Sequence, residues 1–130
     1  MATMIKFRAW NGYRKIMADY VSAIQNGDTQ GTPSSVNVIV DGKNETWDIK
    51  NDDVELLKFT GLKDVNGKEI YEGDIVKVVY QYWGQLGNRY EVKFKQGAFY
   101  VKYGLLSEIS PSISVIGNVH TNPELLEKKK

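Results

Sequence analysis

Turn-forming dipeptides recur at short intervals along this chain, and they limit the length of any element between them. Asn66-Gly67 and Asp41-Gly42 tolerate the positive φ angles of a tight hairpin turn. Glu72-Gly73-Asp74 is a further break, and Ile75 to Tyr80, which follows it, is β-branched and aromatic, as in a buried strand. A chain interrupted this often favours short antiparallel strands over long helices.

Apolar and polar side chains alternate between these turns, which is the pattern of half-buried strands. Val36, Val38 and Val40 form one such run, and residues 5–10 pair with residues 13–18 as a hairpin around Asn11-Gly12. The clearest hairpin extends from Tyr90 to Tyr103 and turns at Gln96-Gly97. Val54 to Phe59 fits either a strand or a short helix, and we expect extended structure from Leu57 onwards.

Three segments break the strand pattern. Residues 26–35 are polar and rich in turn formers, which predicts an exposed, mobile loop, and Ser107 to Ser112 also reads as a loop. Asp19 to Gln25 shows no clear helical period, although one helical turn would fit there. Asn122 as N-cap and Pro123 at the first helical position predict a short helix over about residues 123–128.

These elements predict an all-β fold: one small barrel, pseudobarrel or tightly curled sandwich of short antiparallel strands with a short C-terminal helix. The 130 residues suffice for a single domain over residues 1–130 with a core of its own. Unpaired edges of an open sheet make a homo-oligomer a reasonable expectation.

Composition narrows the function classes. A formal charge of +1 argues against a surface built throughout for polyanions, although a local patch is compatible with it. The chain has no cysteine, which excludes disulfides and thiolate metal sites, and a single histidine, His120, which excludes a paired-histidine site. No window has the apolar run of a signal peptide or membrane span, so we expect a cytoplasmic protein without membrane contact.

Three blocks of this sequence resemble the YopX family of bacteriophage and prophage proteins. They are residues 5–10, residues 59–76 and residues 115–126, and the second block, with Gly61-Leu62-Lys63-Asp64 and Asn66-Gly67-Lys68-Glu69, is the most specific. The polar segment 19–35 departs from the family in its length. The resemblance implies a compact, mostly β protein encoded by a phage or prophage, without an established activity and without catalytic residues that could be carried over.

Five residues of the central block are interpreted as serving backbone turns: Gly61, Asn66, Gly67, Gly73 and Asp74. Glycines six residues apart could suggest phosphate binding, but neither a dinucleotide fingerprint nor a P-loop Lys-Ser/Thr accompanies them. The carboxylates of Asp64, Glu69, Glu72 and Asp74 could in principle join His120 in a small hydrolase. Asp and Asn at turns are better explained by bonds to their own backbone.

Aromatic and basic residues are interleaved on the last hairpin and its preceding loop. Alternation directs Lys93, Lys95, Tyr100 and Lys102 outward, and Tyr82 and Trp83 could join them from the loop. Such a face can hold single-stranded nucleic acid, with rings on bases and lysines on phosphates, but it can equally be a plain solvated surface.

We therefore expect a non-enzymatic binding or regulatory module that acts through contacts with an unidentified phage or host protein. A single-stranded nucleic-acid-binding module is the alternative, and a small hydrolase using the turn carboxylates and His120 is the third. No cofactor or metal is expected.

Overall fold

The computed structural model describes residues 6–26, 33–102 and 104–126. The chain divides into two compact units, Met1–Lys58 and Phe59–Lys130. Every strand pair among the described residues is antiparallel, and the helical segments are single turns, so the predicted all-β class is confirmed.

The first unit contains five complete strands and the start of a sixth: β1 (Phe7–Asn11), β2 (Ile16–Ala18), β3 (Tyr20–Asn26), β4 (Pro33–Val40), β5 (Lys43–Asp48) and β6 (Val54–Lys63). β3, β4 and β5 form one sheet in sequence order, whereas β1 pairs with β2 on one side and with β6 on the other. The core is built by alternate residues of these strands, which include Val36, Val38 and Trp47.

The second unit begins within β6 and is richer in short elements. It contains β7 (Glu69–Tyr71), β8 (Asp74–Val78), β9 (Arg89–Glu91), β10 (Lys93–Lys95), β11 (Ala98–Val101), β12 (Gly104–Leu105), α1 (Leu106–Ile109), and β13 (Ile113–Asn118), with single 3-10 turns at Ser110–Ser112 and Pro123–Leu126. β13, β8 and β9 form one sheet, and β10, β11 and β12 form another. Its core centres on Ile70, Val76, Val78 and Ile113.

Three expectations about where strands begin and end need correction. Asp19 to Gln25 is almost entirely β3 rather than a helical turn, because β4 lies beside it and supplies backbone partners. The same pairing extends strands to Asn26 and from Pro33, so a loop over residues 26–35 is too long; residues 27–32 lie outside the described residues. The strand expected over Ile75 to Tyr80 ends at Val78.

The predicted loop from Ser107 to Ser112 is helical instead. It consists of most of α1 and the 3-10 turn that follows, and Leu106 and Ile109 of α1 are buried in the core of the second unit. Burial of an i, i+3 pair explains a helical turn that local propensity did not indicate. At the C-terminus, the short helix expected over residues 123–128 is a 3-10 turn at Pro123–Leu126, and residues 127 and 128 lie outside the described residues.

Glycines of the central block adopt left-handed backbone conformations for different reasons. Gly67 (φ +84°) closes a three-residue loop in which its N–H donates to the Asp64 carbonyl at 3.0 Å. Asn66 is not at positive φ, so the loop is a type I turn with a glycine bulge rather than the two-residue turn that Asn66-Gly67 favours. Gly61 (φ +83°) lies inside β6, where the register with β7 slips between Phe59 and Lys63, so it forms a bulge.

Candidate functional site

Strands β9, β10 and β11 of the second unit carry the interleaved basic and aromatic residues. The β10–β11 hairpin turns at Gln96 (φ +53°) and Gly97 (φ +82°), as the sequence predicted, and pairs Phe94 with Phe99. It is shorter than predicted, because Tyr90 lies in β9, which pairs with β8 instead. Because side chains alternate along a strand, Lys93 and Lys95 emerge on the opposite face to Phe94. Both lysines are exposed, whereas Phe94 packs against Phe99 with ring centroids 4.8 Å apart.

A concave groove of about 490 Å³ lies on this part of the unit. We call it the basic groove, and it is lined by Arg89, Tyr90, Glu91, Lys93, Lys95, Tyr100, Val101, Lys102 and Leu126. Four of these side chains are cationic and one is a carboxylate, so the lining carries a local positive charge that the near-neutral whole chain does not reveal.

Tyr100 lies among the cations of the basic groove. It is directly opposite Lys93 in the β10–β11 pairing, and the Lys95 ammonium nitrogen is 5.4 Å from the centre of its ring. This is a cation–π distance, so the ring and the charge share one surface. Among the described residues, neither Lys93 nor Lys95 forms an ion pair, which leaves both charges for solvent or a ligand.

The floor and one wall of the basic groove are less polar. Tyr90 and Val101 are buried, and the Tyr90 hydroxyl donates to Gln85 Oε1 at 2.7 Å, which holds its ring in place. The wall is the C-terminal 3-10 turn with Leu126, where Arg89 Nη1 donates to the Leu125 carbonyl at 3.0 Å. One groove cation therefore also anchors the wall.

The structure brings four of the six predicted contact residues into the basic groove: Lys93, Lys95, Tyr100 and Lys102. Tyr82 and Trp83 do not line it. Tyr82 packs against the core of the second unit, and Trp83 is 85% exposed and meets Tyr82 edge-on with ring centroids 6.5 Å apart.

The other five lining residues were not identified as site residues from the sequence: Arg89, Tyr90, Glu91, Val101 and Leu126. Arg89 and Glu91 flank Tyr90 in the alternating run, so the sequence pattern predicts that their side chains point outward. Leu126 gave no signal, because its place in the wall depends on where the last turn docks.

The carboxylate of Asp64 is committed to the backbone. Its Oδ1 accepts the N–H groups of Asn66 at 2.8 Å and Lys68 at 2.9 Å, and its Oδ2 accepts the N–H of Val115 at 2.8 Å. The first two bonds close the loop between β6 and β7, and the third joins that loop to β13. Three fixed donors on a buried carboxylate leave it a poor general base and explain it as a structural acceptor.

Asp74 has a similar role at the break between β7 and β8. Its Oδ2 accepts the Tyr71 N–H at 2.8 Å, and its Oδ1 accepts the Asn118 side-chain amide at 3.0 Å. The Asn118 Oδ1 in turn accepts the His120 N–H at 2.9 Å. Gly73 (φ +86°) lies against this network, with an added Cβ 3.4 Å from the Asn118 amide nitrogen.

Within the described part of the chain, no group of three or more His, Asp or Glu side chains is arranged to hold a metal ion. In the same part, no helix is long and apolar enough to cross a membrane.

Comparisons with known proteins identify a family and a similar solved structure. Residues 6–127 match the family model described as YopX protein. The fold is similar to that of protein EF1440 from Enterococcus faecalis, known from a crystal structure, with a TM-score of 0.70 and 27% sequence identity over 97% of this chain and 100% of that chain. A search of curated proteins found no match. Since the family model spans nearly the whole chain, the protein belongs to the YopX family.

Proposed function

We propose that this protein is a non-enzymatic binding module and that its basic groove takes an anionic partner. The observation that carries the proposal is the convergence of four cations and a single carboxylate on one concave surface of about 490 Å³. Clefts lined by one sign of charge concentrate field lines and draw in ligands of the opposite sign. The turn carboxylates Asp64 and Asp74 support a non-enzymatic role, since both accept fixed hydrogen bonds.

The proposal is tested with three labelled polyanions: polyglutamate, polyphosphate and a single-stranded oligonucleotide. Fluorescence anisotropy at low salt should detect binding of at least one of them. The groove variant Lys93→Glu, Lys95→Glu, Lys102→Glu should lose this binding. A matched variant, Lys43→Glu, Lys50→Glu, Lys68→Glu, makes the same change in net charge at exposed lysines that do not line the groove, and it should retain binding.

Equal losses in the two triple variants would mean that net charge, not the groove, drives association. Absence of binding to all three polyanions would reject the proposal. All six lysines are exposed, so both variants should have melting temperatures close to that of the parent. Thermal melts followed by circular dichroism test this.

A second candidate function, protein contact, is favoured by the loop between β8 and β9, residues 79–88, which we call the Trp83 loop. Three of its apolar side chains face solvent: Tyr80 (59% exposed), Trp83 (85%) and Leu86 (58%). Its backbone is held by bonds from the Gly87 N–H to the Val78 carbonyl at 2.8 Å and from the Gln85 N–H to the Tyr82 carbonyl at 2.9 Å. A rigid loop that presents a tryptophan resembles the centre of many protein interfaces.

A second copy of this chain is the partner that we would test first for the Trp83 loop. Light scattering at high concentration should show an oligomer that Trp83→Ser dissociates. Tyr13→Ser, at an aromatic residue 77% exposed in the first unit, is the matched control and should leave the oligomer intact. A monomeric parent protein would reject self-association through the Trp83 loop.

A further inference from the structure

We infer that the anionic partner of the basic groove is single-stranded nucleic acid, with one base against the groove floor and the neighbouring phosphates at Lys93, Lys95 and Lys102. This inference rests on the proposed function and names the ligand class for the same surface. It favours a nucleic acid over an acidic protein segment for three reasons: the composition of the floor, the spacing of the lysines and the position of the tyrosine ring.

The basic groove has an apolar floor and a charged rim. Leu126 contributes accessible aliphatic surface and Tyr100 a partly exposed ring, whereas Tyr90 and Val101 line the groove but are almost completely buried. A nucleotide has the matching composition, a flat apolar base joined to a charged phosphate. A segment made only of acidic residues, such as polyglutamate, would use the rim but would leave the floor without a matching group. Pockets of a few hundred Å³ accommodate ligands of about the size of one nucleotide.

Two of the three lysines share one face of β10, and the third follows the neighbouring strand. Lys93 and Lys95 are two residues apart on β10 and share a face, so their Cα atoms are about 6.6 Å apart along the strand. Lys102 follows β11, the strand that pairs with β10. Ammonium groups are point charges on flexible stems, which suits contact with successive phosphates without reading sequence.

Tyr100 provides the ring on which a base can stack. Its position opposite Lys93, with the Lys95 ammonium 5.4 Å from the ring centre, places the phosphate contacts beside the stacking contact. A base can enter the groove only when it is not paired inside a duplex, so the geometry predicts a preference for single strands. The contacts are to backbone and ring face, so base identity should matter little.

Four labelled probes with comparable negative charge test the ligand class: a single-stranded oligonucleotide, the same sequence as a duplex, an abasic strand with the same number of phosphates, and polyglutamate. We expect the single strand to bind with micromolar affinity and the other three about tenfold more weakly or not at all. The logarithm of the affinity for the single strand should fall with the logarithm of salt concentration with a slope of about −2, as three phosphate contacts predict.

Variants of Tyr100 separate stacking from charge. Tyr100→Leu should weaken single-strand binding about tenfold, leave the salt slope unchanged and not affect the abasic strand. Tyr100→Phe keeps the ring and should retain parent affinity. Thermal melts of both variants establish that they are folded, and a Tyr100→Leu protein that fails to fold would be replaced by Tyr100→Met.

The outcomes distinguish this inference from the proposed function. If polyglutamate or the abasic strand binds as tightly as the oligonucleotide and the groove triple variant abolishes both, the groove binds anions but the nucleic-acid assignment is wrong. Unchanged oligonucleotide affinity in Tyr100→Leu would also overturn the assignment. If no probe binds at low salt, the proposed function fails together with the inference.

Discussion

At the scale of single residues, polar side chains that could suggest chemistry hold the backbone instead. Asp64 is the clearest case, because one buried carboxylate serves three N–H groups, one of them 51 residues away in the chain. Bonds from backbone donors to a charged acceptor are stronger than neutral ones, and a donor left unmatched in the interior is costly.

Asp64→Asn should therefore lower the free energy of unfolding by about 2 kcal/mol, because the amide offers one acceptor oxygen in place of two and turns an N–H group toward another donor. Urea unfolding measures this loss. Asp41→Asn is the control: Asp41 is exposed at φ +51°, a conformation that Asn also tolerates, so its stability should be close to that of the parent. Equal midpoints for the two variants would contradict the role assigned to Asp64.

A substitution at Gly67 tests the effect of backbone conformation alone, because it does not change side-chain packing. A Cβ at this position would meet nothing within 4 Å, so only its φ of +84° opposes a side chain. Gly67→Ala should cost about 1 kcal/mol through strain. Gly104 also has open space around an added Cβ but no positive φ, so Gly104→Ala should leave the melting temperature nearly unchanged. A Gly67→Ala protein as stable as Gly104→Ala would show that the turn is not strained by a side chain.

Glu45 on β5 predicts that stability depends on pH. The indole N–H of Trp47 donates to its carboxylate at 2.9 Å and Arg14 Nη1 lies 2.7 Å away, and together they lower the pKa of Glu45 below its ordinary value of 4.5. A carboxyl group whose folded pKa is lowered stabilises the protein above its unfolded pKa, and this contribution disappears as the pH falls through the folded pKa.

The free energies of unfolding of the parent and Glu45→Gln should thus differ most near neutral pH and converge below pH 4.5. Denaturant titrations followed by circular dichroism provide the measurement. A difference that stays constant from pH 7 to pH 3 would mean that the charge of Glu45 contributes nothing. High salt should reduce the difference, because the Arg14 partner is largely exposed.

At the scale of elements, the hairpin of β10 and β11 carries the lysines of the basic groove. Its turn places Gln96 at φ +53° and Gly97 at φ +82°, the conformation in which Asn-Gly is the preferred pair. The turn sets the register that puts Tyr100 opposite Lys93, so the stability of the hairpin and the geometry of the groove are linked.

Gln96→Asn should raise the free energy of unfolding by about 0.5 kcal/mol, because Asn populates the left-handed region more readily than Gln. Gln96→Thr should lower it, since a β-branched side chain is strained there. Thermal melts that rank the variants in the opposite order would show that the turn differs in solution. Neither change touches a groove residue, so ligand affinity should stay at the parent value.

At the scale of the whole molecule, the boundary between the two compact units falls inside β6. This strand pairs with β1 up to Lys58 and with β7 from Phe59 onwards. A continuous strand cannot unfold in one part without loss of partners at the junction, so we predict that the chain unfolds as one domain.

Native-state hydrogen exchange should therefore give the same opening free energy for the slowest amides of β4 in the first unit and of β8 in the second. Agreement within about 0.5 kcal/mol would support a single cooperative domain. A lower value in one unit would identify two domains and would contradict the expectation of one domain over residues 1–130.

Local sequence determined most of the elements and four of the nine residues that line the candidate site. Turn dipeptides and alternation identified the hairpins around Asp41-Gly42 and Gln96-Gly97, since both signals are set by a few neighbouring residues. The same alternation placed Lys93, Lys95, Tyr100 and Lys102 on one outward face, and the structure gathers them in one groove. The family blocks could be recognised in the sequence because their glycines and carboxylates form local turns.

Tertiary structure alone decided what depends on distant partners. α1 forms because Leu106 and Ile109 pack against a core assembled from β8, β9 and β13. No local sequence pattern around Ser107 predicts this helix. The basic groove is concave because the turn at Pro123–Leu126 docks beside β9, with Arg89 bonded to the Leu125 carbonyl across 36 residues. Sequence patterns specify directions along one strand, whereas a cavity is defined by the packing of segments far apart in the chain.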